Sequence, residues 1–210
     1  MKSRVSWAFA GLACLSACTQ SLESGSVGNP AIAAKANNRP SAGERLTEAP
    51  KVTNFTDAPL HNRVQIELFA TASDVWSLVG DISRLPEYSS GLEEVEVNPN
   101  DGTVPREYIC HFKPSESGSE GFVHRELVRW YEPNIGFASV AEEPNVFGLS
   151  KTLSLITLRS TPGGTTVTWE QYYYASDLEM NKAAFDQALT DIATRLVERF
   201  GGRIVERRVE

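Results

Sequence analysis

The sequence predicts an α+β domain in which an antiparallel meander of strands packs on one long helix near the C-terminus. Three observations carry that expectation. Six strand-like runs follow one another at about 92–97, 105–113, 121–131, 135–142, 150–159 and 165–174. Turn chemistry separates them: Asn100-Asp101-Gly102, Glu116-Ser117-Gly118, Pro133-Asn134, Pro144-Asn145 and Thr161-Pro162-Gly163-Gly164. These residues tolerate positive φ or arrive with φ already set. Finally, Phe185, Leu189, Ile192, Leu196 and Phe200 recur at steps of four, three, four and four, which draws one apolar stripe along a helix and buries it against the sheet.

The remaining elements follow in order. From Arg63, the residues Val64, Ile66 and Leu68 alternate with Gln65 and Glu67, the pattern of a half-buried strand. Thr71 is placed to cap a helix, with Asp74 three residues on as a short capping box. Val75, Trp76 and Val79 make that helix's apolar face, and Gly80 stops it. A second short helix or turn spans 82 to about 88, kinked at Pro86. Asp177 caps the long helix at its start, and Gly201-Gly202 ends it.

Ahead of the strands the chain has a different character. Lys2 and Arg4 precede an apolar run over 5–15 that is too short to span a bilayer as a mature helix. The following Leu15-Ser16-Ala17-Cys18 resembles the lipobox of bacterial lipoproteins. That resemblance implies cleavage before Cys18, lipidation of its thiol, and effectively permanent anchoring by two or three acyl chains. An ordinary secretory signal cut after Ala17 would leave the same cysteine free. Cys14 matches the lipobox less well, because Gly11 stands where an aliphatic residue belongs. With Thr rather than Asp at position 19, the resemblance implies sorting to the outer membrane, facing the periplasm.

Residues 19 to about 60 hold Ser, Gly, Asn, Pro, Ala and Thr, no aromatic until Phe55, and no helical or strand period. A coil of that length reaches on the order of 35 Å. The expected organisation is a signal over 1–17, a lipidated disordered tether over 18–60, one domain over 61–202, and a tail over 203–210.

Composition narrows the function classes. The 210 residues carry a net charge of −7 with no basic cluster in the body of the chain, which argues against nucleic acid as a partner. Of three cysteines, Cys14 leaves with the signal and Cys18 takes lipid, so Cys110 has no internal partner and stability rests on a packed core. No phosphate loop or nucleophile elbow is present. No histidine pair has metal-ligand spacing, and neither a metal nor another cofactor is expected.

The element order is that of the helix-grip fold, and the residues resemble the SRPBCC superfamily, which includes START-like and polyketide cyclase/dehydrase-like proteins. The matching stretches are Val75-Trp76-Ser77-Leu78-Val79-Gly80-Asp81-Ile82-Ser83-Arg84-Leu85-Pro86-Glu87-Tyr88, Gly102 to Arg106, Arg125-Glu126-Leu127, and Gly163-Gly164-Thr165-Thr166-Val167-Thr168-Trp169. The first is the most specific, and together they cover about 62–200. The resemblance implies a bent antiparallel sheet gripping the long helix, with a cavity between them for an apolar or amphipathic small molecule. Some members are cyclases, aromatases or hydrolases, and others only bind, so the site must decide the function.

Alternation assigns the faces of that cavity. Arg106, Tyr108, Cys110 and Phe112 share one side of their strand; Phe122, His124, Glu126, Val128 and Trp130 share a side of the next; Val167, Trp169, Gln171 and Tyr173 share a side of the last. The candidate ligand-binding residues are therefore Arg106, Tyr108, Phe112, His124, Glu126, Trp169, Gln171 and Tyr173. Arg106 and Glu126 fall on neighbouring strands at recurrent positions of the family, where a buried ion pair is the simplest reading and a ligand clamp the functional one. Glu126, His124 and Tyr108 are the candidates for proton transfer. His61 is expected at the end of the tether and His111 on the opposite side of its strand, leaving His124 as the histidine directed to the cavity. Three functions are then open: a lipid-anchored binding domain, a cyclase-like enzyme, and an accessory factor with a filled cavity and a periplasmic protein partner.

Overall fold

The computed structural model describes residues 49–99, 104–114 and 120–210. The expected signal, Cys18, most of the expected tether, and the turns expected at 100–102 and 116–118 lie outside the described residues.

Strand β1 (Leu60–Leu68) begins three residues earlier than Arg63 and buries Val64, Ile66 and Leu68 on one face. Helix α1 (Ala72–Val79) starts as its cap dictates. The Thr71 hydroxyl accepts from the Asp74 N–H at 3.2 Å and donates to the Asp74 carboxylate at 2.7 Å. A 3-10 turn over Ile82–Glu87 contains Pro86. The meander follows as β2 (Leu92–Asn98), β3 (Glu107–Phe112), β4 (Phe122–Glu132), β5 (Gly136–Ala141), β6 (Leu149–Thr161) and β7 (Gly164–Ala175). Helix α2 (Leu178–Phe200) has Asp177 as N-cap, its side chain accepting from the Met180 N–H at 3.1 Å. The last strand is β8 (Gly202–Val209).

The eight strands make one antiparallel sheet in the order β2-β3-β4-β5-β6-β7-β1-β8. Both helices pack on the same face, and the main core lies between: Val64, Ile66, Val75, Leu78, Ile156, Val167, Leu189, Ile192 and Leu196 are all buried there. The helix-grip arrangement expected from the element order is present. Among the described residues no helix is long and apolar enough to cross a membrane.

Three expectations need correction. The tail at 203–210 is a strand: β8 pairs antiparallel with β1 from Asn62↔Val209 to Leu68↔Gly202. Its charges belong to an exposed sheet edge, where Arg203 pairs with Glu67 and Arg63 with Glu206. Gly201 caps α2 at φ 69° and Gly202 follows at φ 122°, and this pair of left-handed residues turns the chain straight from helix into strand.

The second correction concerns the tether, because residues 49–59 lie against the sheet. The strap 49–59 carries a 3-10 turn at Val52–Asn54 and lays Val52 and Phe55 on the outer face of the sheet. It is fastened by the Thr56 hydroxyl, which donates to the Lys151 carbonyl at 2.5 Å and accepts from the Ala58 N–H at 3.0 Å. Third, Trp130 does not share a side with His124 and Glu126. A β-bulge between Val128 and Trp130 turns it outward to join Ala138, Leu153 and Leu155 beneath the strap. Tyr131 takes the inward place instead and donates to the Gly80 carbonyl at 2.9 Å.

Candidate functional site

The register of β3 and β4 decides which inward groups meet. Tyr108 stands opposite Glu126 and Cys110 opposite His124. His124 and Glu126, two apart on β4, share the inner face, and His124 Nε2 lies 2.9 Å from Glu126 Oε1. The two side chains are only 8% and 14% exposed. A carboxylate only accepts, so against it Nε2 carries the hydrogen. His124 Nδ1 and Glu126 Oε2 are buried with no hydrogen-bond partner among the described residues. Buried polar atoms without partners are costly and uncommon; in this core the Tyr88 hydroxyl is another, and His124 and Glu126 are the two that adjoin each other.

Arg106 does not join them. It precedes β3, is exposed, and forms no ion pair with Glu126, whose side-chain partner is His124. Its carbonyl accepts from the Val128 N–H at 2.8 Å, so the backbone register carries it beyond Glu126 toward the sheet's end. The expected Arg106–Glu126 pair is therefore replaced by His124–Glu126.

The other predicted residues divide into two groups. Tyr108 is buried and shares a 2.9 Å hydrogen bond with Ser139. Burial, and next the Glu126 charge, push its hydroxyl well above the ordinary phenol range. The Cys110 thiol is raised by the same two causes in the same order. Both groups stay protonated at neutral pH, so Tyr108 is a hydrogen-bonding group there and Cys110 a small apolar one. Trp169 Nε1–H and Gln171 Nε2–H both donate to Ser154 Oγ at 3.0 Å. The buried Tyr173 hydroxyl donates to Asn62 Oδ1 at 2.8 Å. The Trp169 Nε1–H, Gln171 Nε2–H and Tyr173 hydroxyl thus have partners within the protein.

Phe112 belongs with His124 through an aromatic cluster. It stacks on Phe122 with centroids 4.4 Å apart, and Phe147 meets Phe122 at 5.3 Å and His124 at 4.9 Å. Phe147 also faces Phe185 of α2 at 6.4 Å, and Phe185 leads on to Tyr173 at 5.1 Å. His61, far from ending a free tether, is buried against Tyr173 at 4.8 Å, with Nδ1 3.0 Å from the Glu210 carbonyl.

Phe147 is the residue that sequence reasoning missed. It sits in the β5–β6 loop, which Asn145 shapes by accepting from the Phe147 and Leu149 N–H groups. Asn181 of α2 donates to the Phe147 carbonyl at 3.3 Å. An aromatic in a turn opened by Glu142-Glu143-Pro144-Asn145 was the available signal. Two hollows, of about 570 Å³ and 220 Å³, are lined by residues of the outer face and of the β1 end, not by the groups between sheet and α2. Among the described residues no cluster of three or more His, Cys, Asp or Glu side chains is placed to hold a metal.

A family profile described as Polyketide cyclase / dehydrase and lipid transport matches residues 60–203. Among solved structures, the XoxI protein of Bacillus cereus superposes with a TM-score of 0.55 at 15% identity, over 67% of this chain and 95% of its own. A START superfamily protein from Mycobacterium smegmatis gives 0.54 at 17% identity, over 67% and 97%. The di-domain ARO/CYC StfQ from the steffimycin biosynthetic pathway gives 0.54 at 7% identity, over 66% of this chain and 48% of its own. At these identities the likeness is one of fold. The comparison with curated proteins finds no match.

Proposed function

The chain belongs to the polyketide cyclase / dehydrase and lipid transport family, and from that premise we propose that it is a membrane-anchored periplasmic domain that holds an apolar or amphipathic small molecule between its sheet and α2. The observation that carries this reading is the buried His124–Glu126 pair, with one polar atom of each unpartnered beside Phe112, Phe122, Phe147 and Phe185. A mostly apolar surround with few convergent polar groups is the composition of a small-molecule site. Glu126 Oε2, and the lone pair on Nδ1 of a neutral His124, both accept hydrogen bonds. The ligand therefore brings a hydroxyl, phenol or amine to that end and flat apolar surface to the phenylalanines. Phe147, on a loop, is the side chain that yields to admit it. The anchor is Cys18, and the domain faces the periplasm from the outer membrane.

Native mass spectrometry of the detergent-solubilised full chain, purified from its own host, tests the binding. A co-purifying small molecule that is lost on denaturation, and lost in His124→Ala, is the expected result. A clean apo mass at saturating lipid extract from that host overturns it and leaves the accessory-factor reading. The same 2.9 Å pair favours a second reading, proton transfer on the bound molecule with Glu126 as base and His124 orienting it. Under that reading Glu126→Gln retains the ligand and blocks its conversion. For the anchor, Cys18→Ala moves the protein from the membrane fraction to the soluble one.

A further inference from the structure

A hollow of about 570 Å³ opens on the outer face of the sheet, between β4, β5, β6 and the strap. It lies across the sheet from His124 and Glu126 and has its own wall and charges. Phe55, Leu127 and Val140 supply the apolar wall, and Arg129, Glu142, Glu143 and Lys151 the charges. Three of those four charges are already engaged. Glu143 accepts from the Lys151 N–H at 2.7 Å, Lys151 Nζ pairs with Asp57 at 2.8 Å, and Glu142 pairs with Arg125 at 3.6 Å. Glu143 is met only by that backbone N–H and keeps its charge, so the four lining charges sum to zero, and among the described residues Arg129 is the lining cation with no ion-pair partner.

The backbone is irregular at this place on both sides of β5. The bulge in β4 falls at Arg129, and the shift in β6 between Ser150 and Leu153 contains Lys151 at φ 49°. Bulges re-aim side chains and gather near functional sites. Here they turn Arg129 and Trp130 to the outer face. Trp130, 9% exposed and packed with the same Phe55 and Val140, has a buried Nε1–H with no acceptor among the described residues. Arginine and the tryptophan N–H are both donors, so each calls for an acceptor.

We propose that the hollow is a second binding site, taking a small anionic amphiphile whose carboxylate-like head lies on Arg129 and whose apolar body lies on Phe55, Leu127 and Val140. The volume falls in the range of small-molecule sites, about 300–1,000 Å³. The site does not depend on the inner-face reading.

The test is a methyl NMR titration of the full chain with octanoate, kept well below its micelle concentration, and in parallel with neutral 1-octanol. The expected result is a saturable shift of the Leu127 and Val140 methyls with octanoate, weakened about tenfold or more in Arg129→Gln, while the Leu189 and Ile192 methyls under α2 stay in place. Arg129 is exposed and unpaired, so the variant keeps its fold. Equal binding of octanol, unchanged binding in Arg129→Gln, or shifts confined to Leu189 and Ile192 would each overturn the proposal. Binding to phosphatidylglycerol vesicles without binding to free octanoate would overturn it too, by assigning Arg129 to a membrane surface.

Discussion

The two faces of the sheet bury apolar side chains by different means. The inner face is covered by α2, 23 residues long, and by α1, and its core is continuous from Val64 to Leu196. The outer face is covered over a smaller patch by the strap, which sets Val52 and Phe55 on Trp130, Ala138, Leu153 and Leu155. A helix satisfies its own backbone and presents a rigid apolar stripe, whereas an extended strap must find partners for its backbone elsewhere. Here β7 meets it at two carbonyls, the Tyr173 N–H at Pro59 and the Tyr174 hydroxyl at Asp57, and the Thr56 hydroxyl adds a bond to the Lys151 carbonyl. The lesson is that the inner face carries the stability, and the outer face is a lightly held cover over a hollow.

The largest expected effect tests that division directly. Leu196, fully buried in the inner core, should lose about 2–5 kcal/mol on Leu196→Ala through transfer and cavity costs. Phe55→Ala, at a half-buried position on the strap, should cost about 1 kcal/mol. Urea unfolding of both variants checks this, and equal losses would break the comparison by making the strap part of one cooperative core.

A finer contrast uses the two tryptophans. Trp169→Phe on the inner face removes a donor from Ser154, while Trp130→Phe on the outer face removes a buried N–H that has no partner. The first should cost about 1 kcal/mol more than the second, since deleting an unsatisfied donor relieves its desolvation. Thermal unfolding of the pair reads the difference, and a larger loss at Trp130 would mean that its N–H has an acceptor in solution.

The smallest effect is in acid. Glu87 ties the Ile82–Glu87 turn to α2, and hydrogen bonds from Arg84 and then Arg199 hold its carboxyl at about 2 against an ordinary 4.5. A carboxyl lowered on folding stabilises fully above its unfolded value, and that stabilisation is lost as pH falls from about 4.5 toward 2. Glu87→Gln should therefore flatten the loss of stability across that window, modestly, because the pair is solvent-screened. Asp57, lowered by its hydrogen bond to Lys151 and fully exposed on the strap, should give a weaker response still in Asp57→Asn. Acid titrations of stability for the two variants order the two faces again, and a stronger effect at Asp57 would reverse that order.

Much of the fold was legible because its signals are local. Thr71 and Asp177 cap their helices through bonds spanning three residues. The strand runs alternate with period two, and the stripe from Phe185 to Phe200 needs only the helical repeat to be seen. The candidate site was legible in part. His124, Glu126, Tyr108 and Phe112 point inward as alternation requires, yet Arg106 and Glu126 were paired on strand adjacency and family position, and a register that sets Tyr108 opposite Glu126 separates them. Phe147 escaped because loop residues have no period.

The sequence by itself determined the element order, the caps, the buried stripes and the inward set on β3 and β4, since each depends on residues within one turn or one strand. Tertiary structure alone decided the rest. One extra residue at Arg129 reversed the face of Trp130 without altering composition. The charged run 203–210 became an edge strand because β1 offered it a free row of backbone groups, and the strap became packed because the bulged sheet presented Trp130 to Phe55. Strand partners and bulge positions are relations between distant segments, and their energies do not exist until the chain has brought those segments together.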